Sequence, residues 1–171
     1  MMIKNVMTLV AATIAMIGCA SPYVTPASGP TATLILPVST QKWDPSNNFN
    51  HGVRIATKNS NGCGELPKAI NPDTFEKDLT VTIAADRDIL FSVWRSWGSV
   101  FCSNIFSQFH ANKDHEYMLN LDMAGRYCVV SIIDKNPNGT ITTIKPTRAY
   151  VSKIGGNAIC DSKDKITGYA M

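Results

Sequence analysis

Residues 117–144, YMLNLDMAGRYCVVSIIDKNPNGTITTI, carry the pattern that decides the fold class. Apolar side chains occupy every second position of residues 117–123, which is the period of a strand with one buried face. Residues 127–133 are almost continuously apolar, which predicts a central strand buried on both faces. Asn138-Gly139 then predicts a tight turn into a strand over residues 140–144, because these residue types accept a positive φ.

The same signals recur through the rest of the chain. Residues 79–83 alternate most cleanly, residues 53–57 alternate as a half-buried strand, and a β-rich run over residues 31–36 stops at a proline. Residues 89–101 are apolar and aromatic, and residues 147–154 supply a further strand. Because no long segment has a period of 3.6, these short strands predict an all-β sandwich or barrel.

The first eighteen residues have the pattern of an export signal. Lys4 is the only charge in a short start, and residues 6–17 are twelve residues without a charge. A basic start followed by an apolar run of this length is typical of a secretory signal. The run is too short for a membrane-spanning helix, which needs about 20 apolar residues.

Met16-Ile17-Gly18-Cys19 resembles the lipobox of bacterial lipoproteins, with the glycine and the cysteine at its most constrained positions. The resemblance implies cleavage by signal peptidase II before Cys19 and lipid, including palmitate, on this residue. Two or more acyl chains hold a protein stably on a bilayer. Ala20 replaces the aspartate that often retains such proteins in the inner membrane, which implies the outer membrane if the host has one.

The chain therefore divides into a signal peptide (1–18), a proline-rich tether (19–30) and a single domain (31–171). Charged residues make up 17% of the chain, and the basic ones are scattered singly. A nucleic-acid partner is not expected, because such proteins carry a basic stripe. The expected partner is the membrane, through the lipid on Cys19.

Four cysteines remain beyond Cys19: Cys63, Cys102, Cys128 and Cys160. An even number in an exported chain predicts two disulfides, with three possible connectivities. No two of them have the close spacing of a zinc site, so no metal is expected. The preferred pairing joins Cys102 to Cys128, in two apolar strands, and Cys63 to Cys160, in two loops rich in glycine and asparagine.

Taken whole, residues 19–134 resemble small, mostly uncharacterised envelope lipoproteins of proteobacteria. The resemblance rests on Tyr23 and Pro26 near the anchor, on Gly29-Pro30-x-Ala32 before the first strand, and on a Cys…Phe…Tyr…Cys stretch from Cys102 to Cys128. It implies a β-sandwich without a particular activity. The predicted fold is an antiparallel β-sandwich of about seven to eight strands, of the immunoglobulin or transthyretin-like kind.

Residues that could carry chemistry are few. His110 and His115 fall in a polar segment, residues 109–117, which is predicted to be a solvated loop. Residues five apart do not share a face of a helix or of a strand, so regular structure would not bring the two histidines together. Asp86 and Asp88 belong to a turn and face water. The Gly-x-Ser-x-Gly pattern of a serine hydrolase is missing from the sequence. No catalytic residue and no cofactor are predicted.

The aromatic run over residues 91–101 offers a candidate binding surface. Phe91 and Val93 are predicted in the core, whereas Trp94, Arg95 and Trp97 are the candidate surface residues, since tryptophan and arginine are enriched where proteins bind partners. The first hypothesis is a non-enzymatic binding or structural module whose partner is an envelope protein or a glycan. The alternatives are an inhibitor of a cell-wall enzyme and a hydrolase.

Overall fold

The computed structural model of the chain describes residues 23–37, 50–65, 70, 77–97, 100–103, 106–124, 127–151 and 158–162. The signal, Cys19 and Ala20 lie outside the described residues. The described part is all-β, as predicted, and contains no helix. Its strands are β1 (Thr31–Leu36), β2 (Asn50–Thr57), β3 (Cys63–Glu65), β4 (Leu79–Ala84), β5 (Arg87–Trp97), β6 (Val100–Ser103), β7 (Ser107–Ala111), β8 (Glu116–Ala124), β9 (Tyr127–Lys135), β10 (Ile141–Ile144), β11 (Thr147–Arg148), β12 (Tyr150–Val151) and β13 (Ala158–Cys160).

The strands form three sheets. The front sheet has the order β10-β9-β8-β1-β4, the back sheet has the order β11-β7-β5-β2 with β6 also on β5, and the small sheet has the order β12-β13-β3. All pairs are antiparallel except β1 with β8, so the front sheet is mixed and the wholly antiparallel prediction is wrong there. The alternation of apolar residues indicates a strand but not its partner, and the chain enters β1 and β8 from the same end.

The front and back sheets share one hydrophobic core, in which the predicted alternation is confirmed. Val81 and Ile83 of β4 are buried, as are Tyr117, Leu119 and Leu121 of β8. Burying one large aliphatic side chain contributes about 1.5–3 kcal/mol. The prediction for β9 is wrong, because its two faces are not both covered: Val129 is 49% exposed, whereas Ile132 and Asp134 on the opposite face are buried.

The predicted hairpin after β9 is confirmed, with Gly139 at φ +87° and β10 paired with β9. The predicted loop over residues 109–117 is wrong. Ser107, Phe109 and Ala111 point inward from β7, β8 begins at Glu116, and only the turn between these strands is irregular. Of the polar residues that suggested a loop, His110 lies on the outer face of β7, where alternation allows it, and residues 112–115 form the turn.

The long aromatic run is also divided differently from the sequence prediction. Residues 89–101 do not form one strand, because β6 folds back on the end of β5 with Val100 opposite Trp97. The outer face of β5 therefore differs along its length, from Leu90 in a second small core to Trp94 near the end.

The small sheet covers part of the outer face of the back sheet. Its disulfide joins Cys63 to Cys160, as predicted, although both residues lie in short strands and not in loops. Gly64 lets β3 approach β2, since a Cβ there would lie 2.6 Å from the Thr57 carbonyl oxygen. A second core forms beneath this sheet from Ala56, Leu90, Ala149 and Ile159.

Candidate functional site

A chain of charged side chains lies on the outer face of the back sheet, beside the small sheet. Asp88 of β5 and His110 of β7 are direct cross-strand partners, and His110 Nδ1 lies 2.9 Å from Asp88 Oδ1. Lys58, just after β2, pairs with the other oxygen of Asp88 and lies 3.3 Å from Asp161 Oδ2. The strand register and the disulfide together bring four distant segments into one polar cluster.

This cluster borders a cleft of about 310 Å³. The cleft lies between the back sheet and the segment that joins β10 to β11, and it is lined by Lys58, Asp88, Gln108, Phe109, His110, Ile144, Lys145 and Thr147. Gln108 Oε1 is buried without a hydrogen-bond partner among the described residues. A buried acceptor in this state is costly unless another group satisfies it.

Lys58 and His110 stabilise the negative charge of Asp88 within the cluster. The hydrogen bond from Lys58 lowers the pKa of Asp88, and the bond from His110 lowers it further. The bond to Asp88 likewise raises the pKa of Lys58, against a smaller opposing effect of burial. Lys145 is exposed, and no described carboxylate forms a salt bridge with it. It is the cation of the cleft that can meet a ligand without first breaking a salt bridge.

A second histidine–carboxylate pair closes one end of the core. His115 Nδ1 lies 2.7 Å from Asp134 Oδ1, and the two side chains are only 18% and 11% exposed. The His115 ring stacks on Tyr117 with centroids 5.9 Å apart. The Tyr117 hydroxyl accepts a hydrogen bond from the backbone N–H of Asn112, and burial raises the pKa of this tyrosine. This pair is therefore largely buried beside Tyr117, and it does not line the cleft described above.

The two histidines belong to separate sites. His110 and His115 contact different carboxylates on different sheets, and among the described residues no three metal-binding side chains come together. Neither imidazole is hydrogen-bonded to a described serine or threonine hydroxyl. A hydrolase of the serine type needs such a nucleophile within reach of its base. The cleft, as described, has the groups to bind a polar ligand and lacks an assembled nucleophile.

The structure places the predicted surface residues apart. Trp94 is half-buried on the outer face of β5, where the Arg54 guanidinium lies over its ring at 5.2 Å. Arg95 points to the opposite face, and its Nη2 donates to the Pro37 carbonyl at 2.6 Å. Burial lowers the pKa of Arg95, whereas Asp122 and Asp78 oppose this effect. The side chain of Trp97 lies outside the described part of the structure.

Sequence reasoning missed most of the cleft. Asp88 is predicted to face water in a turn, but it lies in β5, where it pairs with His110 across the sheet and with Lys58 after β2. Nothing local marks Lys58, Gln108 or Lys145, which come from three separate segments. The only sequence signal was the density of histidines and carboxylates near His110, and its interpretation required the pairing of β5 with β7.

Comparisons of the chain with protein-family models, with curated proteins and with solved structures find no match. Within the described ranges, no helix has the length and hydropathy needed to cross a bilayer.

Proposed function

We propose that the chain is a lipid-anchored protein of the cell envelope whose β-domain is a non-catalytic binding module. The observation that carries the binding role is the cleft beside Asp88 and His110, where Gln108 offers an unpartnered acceptor and Lys145 an exposed cation. A matching ligand carries an anionic group and, next to it, a hydrogen-bond donor. Envelope proteins and glycans both supply such groups.

A photo-crosslinking side chain at position 147 in living cells tests this role, with position 135 as the control. Thr147 is exposed and lines the cleft, whereas Lys135 is exposed on the front sheet and pairs with Glu116 at 3.8 Å. We expect a specific adduct from position 147 alone, identified by mass spectrometry and weakened by Gln108→Leu. Equal adducts from both positions would contradict a site in the cleft.

The anchor is supported by the lipobox at residues 16–19 and by the apolar run before it. We expect Cys19→Ala to abolish incorporation of radioactive fatty acid, because the thiol is the attachment point for the diacylglyceryl group. Cys63→Ser is the control and should keep the label, since the Cys63 sulfur is bonded to Cys160 and is not a lipid attachment point. Equal labelling of Cys19→Ala and the parent would end the lipoprotein proposal. Fractionation of the parent then tests the outer-membrane location that Ala20 implies.

We also propose the immunoglobulin or transthyretin-like sandwich with a second disulfide, between Cys102 and Cys128. The shared core of the front and back sheets supports the sandwich. Cys102 is buried on β6, is in the disulfide-bonded state, and β6 contacts β9, which carries Cys128. The side chain of Cys128 lies outside the described residues. Peptide mapping without reductant should recover residues 102 and 128 in one linked peptide, and linkage of 102 to any other cysteine would refute it.

A hydrolase is the second candidate, and the His110–Asp88 pair favours it. The carboxylate contacts Nδ1 of a half-exposed imidazole, and no described group is hydrogen-bonded to Nε2, as in an acid–base pair. Purified protein assayed on ester, peptide and glycan substrates tests this candidate. Turnover that His110→Gln abolishes and His115→Gln spares would establish it in place of the binding module.

A further inference from the structure

We infer that the domain stands on its membrane by the edge of β4, with the cleft at the far edge; this inference rests on the proposed lipid at Cys19. Tyr23, only four residues after the predicted anchor, is already attached to the domain. Its hydroxyl donates to the Thr82 carbonyl of β4 at 2.7 Å, and its ring packs against the shared core. Burial raises the pKa of Tyr23 to about 12.

This contact shortens the free part of the tether. Four residues span at most about 14 Å when fully extended, so the Tyr23 Cα stays within that distance of the Cys19 Cα, and the Tyr23 side chain joins this point to the edge of β4. Val24 is 77% exposed beside Tyr23, which places an apolar side chain where the bilayer surface is expected. A lipid surface is the partner that fits an exposed apolar side chain so near an acylated residue.

The opposite edge of the front sheet leads to the cleft. β10 is four strands away from β4, and neighbouring strands lie about 4.8 Å apart, so the two edges are about 19 Å apart. Ile144 and Lys145, which follow from β10, line the cleft. An upright domain therefore keeps its cleft open to the aqueous side, where a soluble ligand or another envelope protein can reach it.

The sheet offers a matched pair of probes for this orientation. Thr80 and Thr143 are both exposed and end one cross-strand row, which runs from Thr80 through Ile35, Met118 and Ile133 to Thr143. Each threonine is replaced by cysteine in the full lipidated protein, labelled with a fluorophore and reconstituted into phosphatidylglycerol–phosphatidylethanolamine vesicles. Half of the preparations carry a nitroxide on the lipid headgroups as a quencher.

We expect the quencher to remove most fluorescence at position 80 and little at position 143. Tyr23→Ala should reduce quenching at position 80 to the level at position 143, whereas Thr25→Ala, at an exposed polar residue of the same segment, should leave the difference between the two positions in place. Equal quenching of both positions would mean that the sheet lies flat, and no quenching would mean that the tether is undocked; either result overturns the orientation while leaving the anchor intact. A mass of the reconstituted protein without acyl chains on Cys19 would instead overturn the anchor, and this inference with it.

Discussion

Two histidine–aspartate pairs in this molecule have nearly the same geometry and opposite surroundings. His115 and Asp134 lie 2.7 Å apart at the end of the core, with less than a fifth of either side chain exposed. His110 and Asp88 lie 2.9 Å apart on the back sheet, and 56% of the His110 side chain is exposed beside a cleft. Because the two contacts are alike, the role of each pair depends on its surroundings. The first pair is largely buried at the end of the core, and the second is accessible to a ligand.

The largest expected effect comes from removing the disulfide that holds the small sheet beside the exposed pair. Cys63→Ser with Cys160→Ser opens a loop with a sequence separation of 97, for which the chain-entropy model gives about 4.7 kcal/mol of lost stability. Asp161 follows Cys160 directly and pairs with Lys58, so the cluster at His110 should change with it. Urea unfolding measures the stability. Histidine NMR should show a shifted His110 ring and an unchanged His115 ring, and the reverse pattern would contradict this dependence.

The buried pair should be the more sensitive of the two to loss of its carboxylate. Asp134→Ala leaves the His115 ring nitrogen without its partner at a nearly closed site, which should lower the free energy of unfolding by about 2–3 kcal/mol. Asp88→Ala at the more exposed pair should lower it by about 1 kcal/mol. Thermal unfolding of both variants measures the difference. Equal losses would mean that the surroundings do not distinguish the pairs.

The exposed pair should show a pH dependence with a definite sign. Asp88 has a lowered pKa in the folded chain, so its contribution is complete above the usual carboxyl pKa and disappears as the pH falls through the lowered value. Lys58 has a raised pKa, so its contribution is complete below the usual lysine value and disappears as the pH rises through the raised one. The stability difference between the parent and Asp88→Asn should therefore be constant at neutral pH and shrink at both extremes. A difference independent of pH from strong acid to strong base would refute the ion pair.

The smallest effect is expected at the cleft cation. Lys145 is exposed and without a described ion pair, so Lys145→Ala should change the stability by less than about 0.5 kcal/mol. In a chain that carries the crosslinking side chain at position 147, the same substitution should lose the crosslinked ligand, whereas Lys135→Ala should retain it. If Lys145→Ala changed neither the stability nor the capture of the ligand, the proposed role of the cleft would be refuted.

Alternation predicted the strands well wherever one face is buried. Residues 79–83 and 117–121 place their apolar positions in the core, and Asn138-Gly139 forms the hairpin turn. The same reasoning failed at β7, where a strand with histidine on its outer face resembled a loop. It failed again at β9, where continuous apolar sequence suggested burial on both faces although Val129 faces outward.

The sequence by itself determined the all-β class and most strand positions, because residue spacing and turn chemistry are local properties. It left three connectivities open for the four cysteines, and the tertiary structure joins Cys63 to Cys160 as preferred. Only the tertiary structure decided that β1 runs parallel to β8, that Trp94 meets Arg54, and that Arg95 meets the Pro37 carbonyl. It also decided that His115 is largely buried and that His110 is exposed beside the cleft. These features depend on strand register and sheet packing, which join segments far apart in the chain and leave no local pattern.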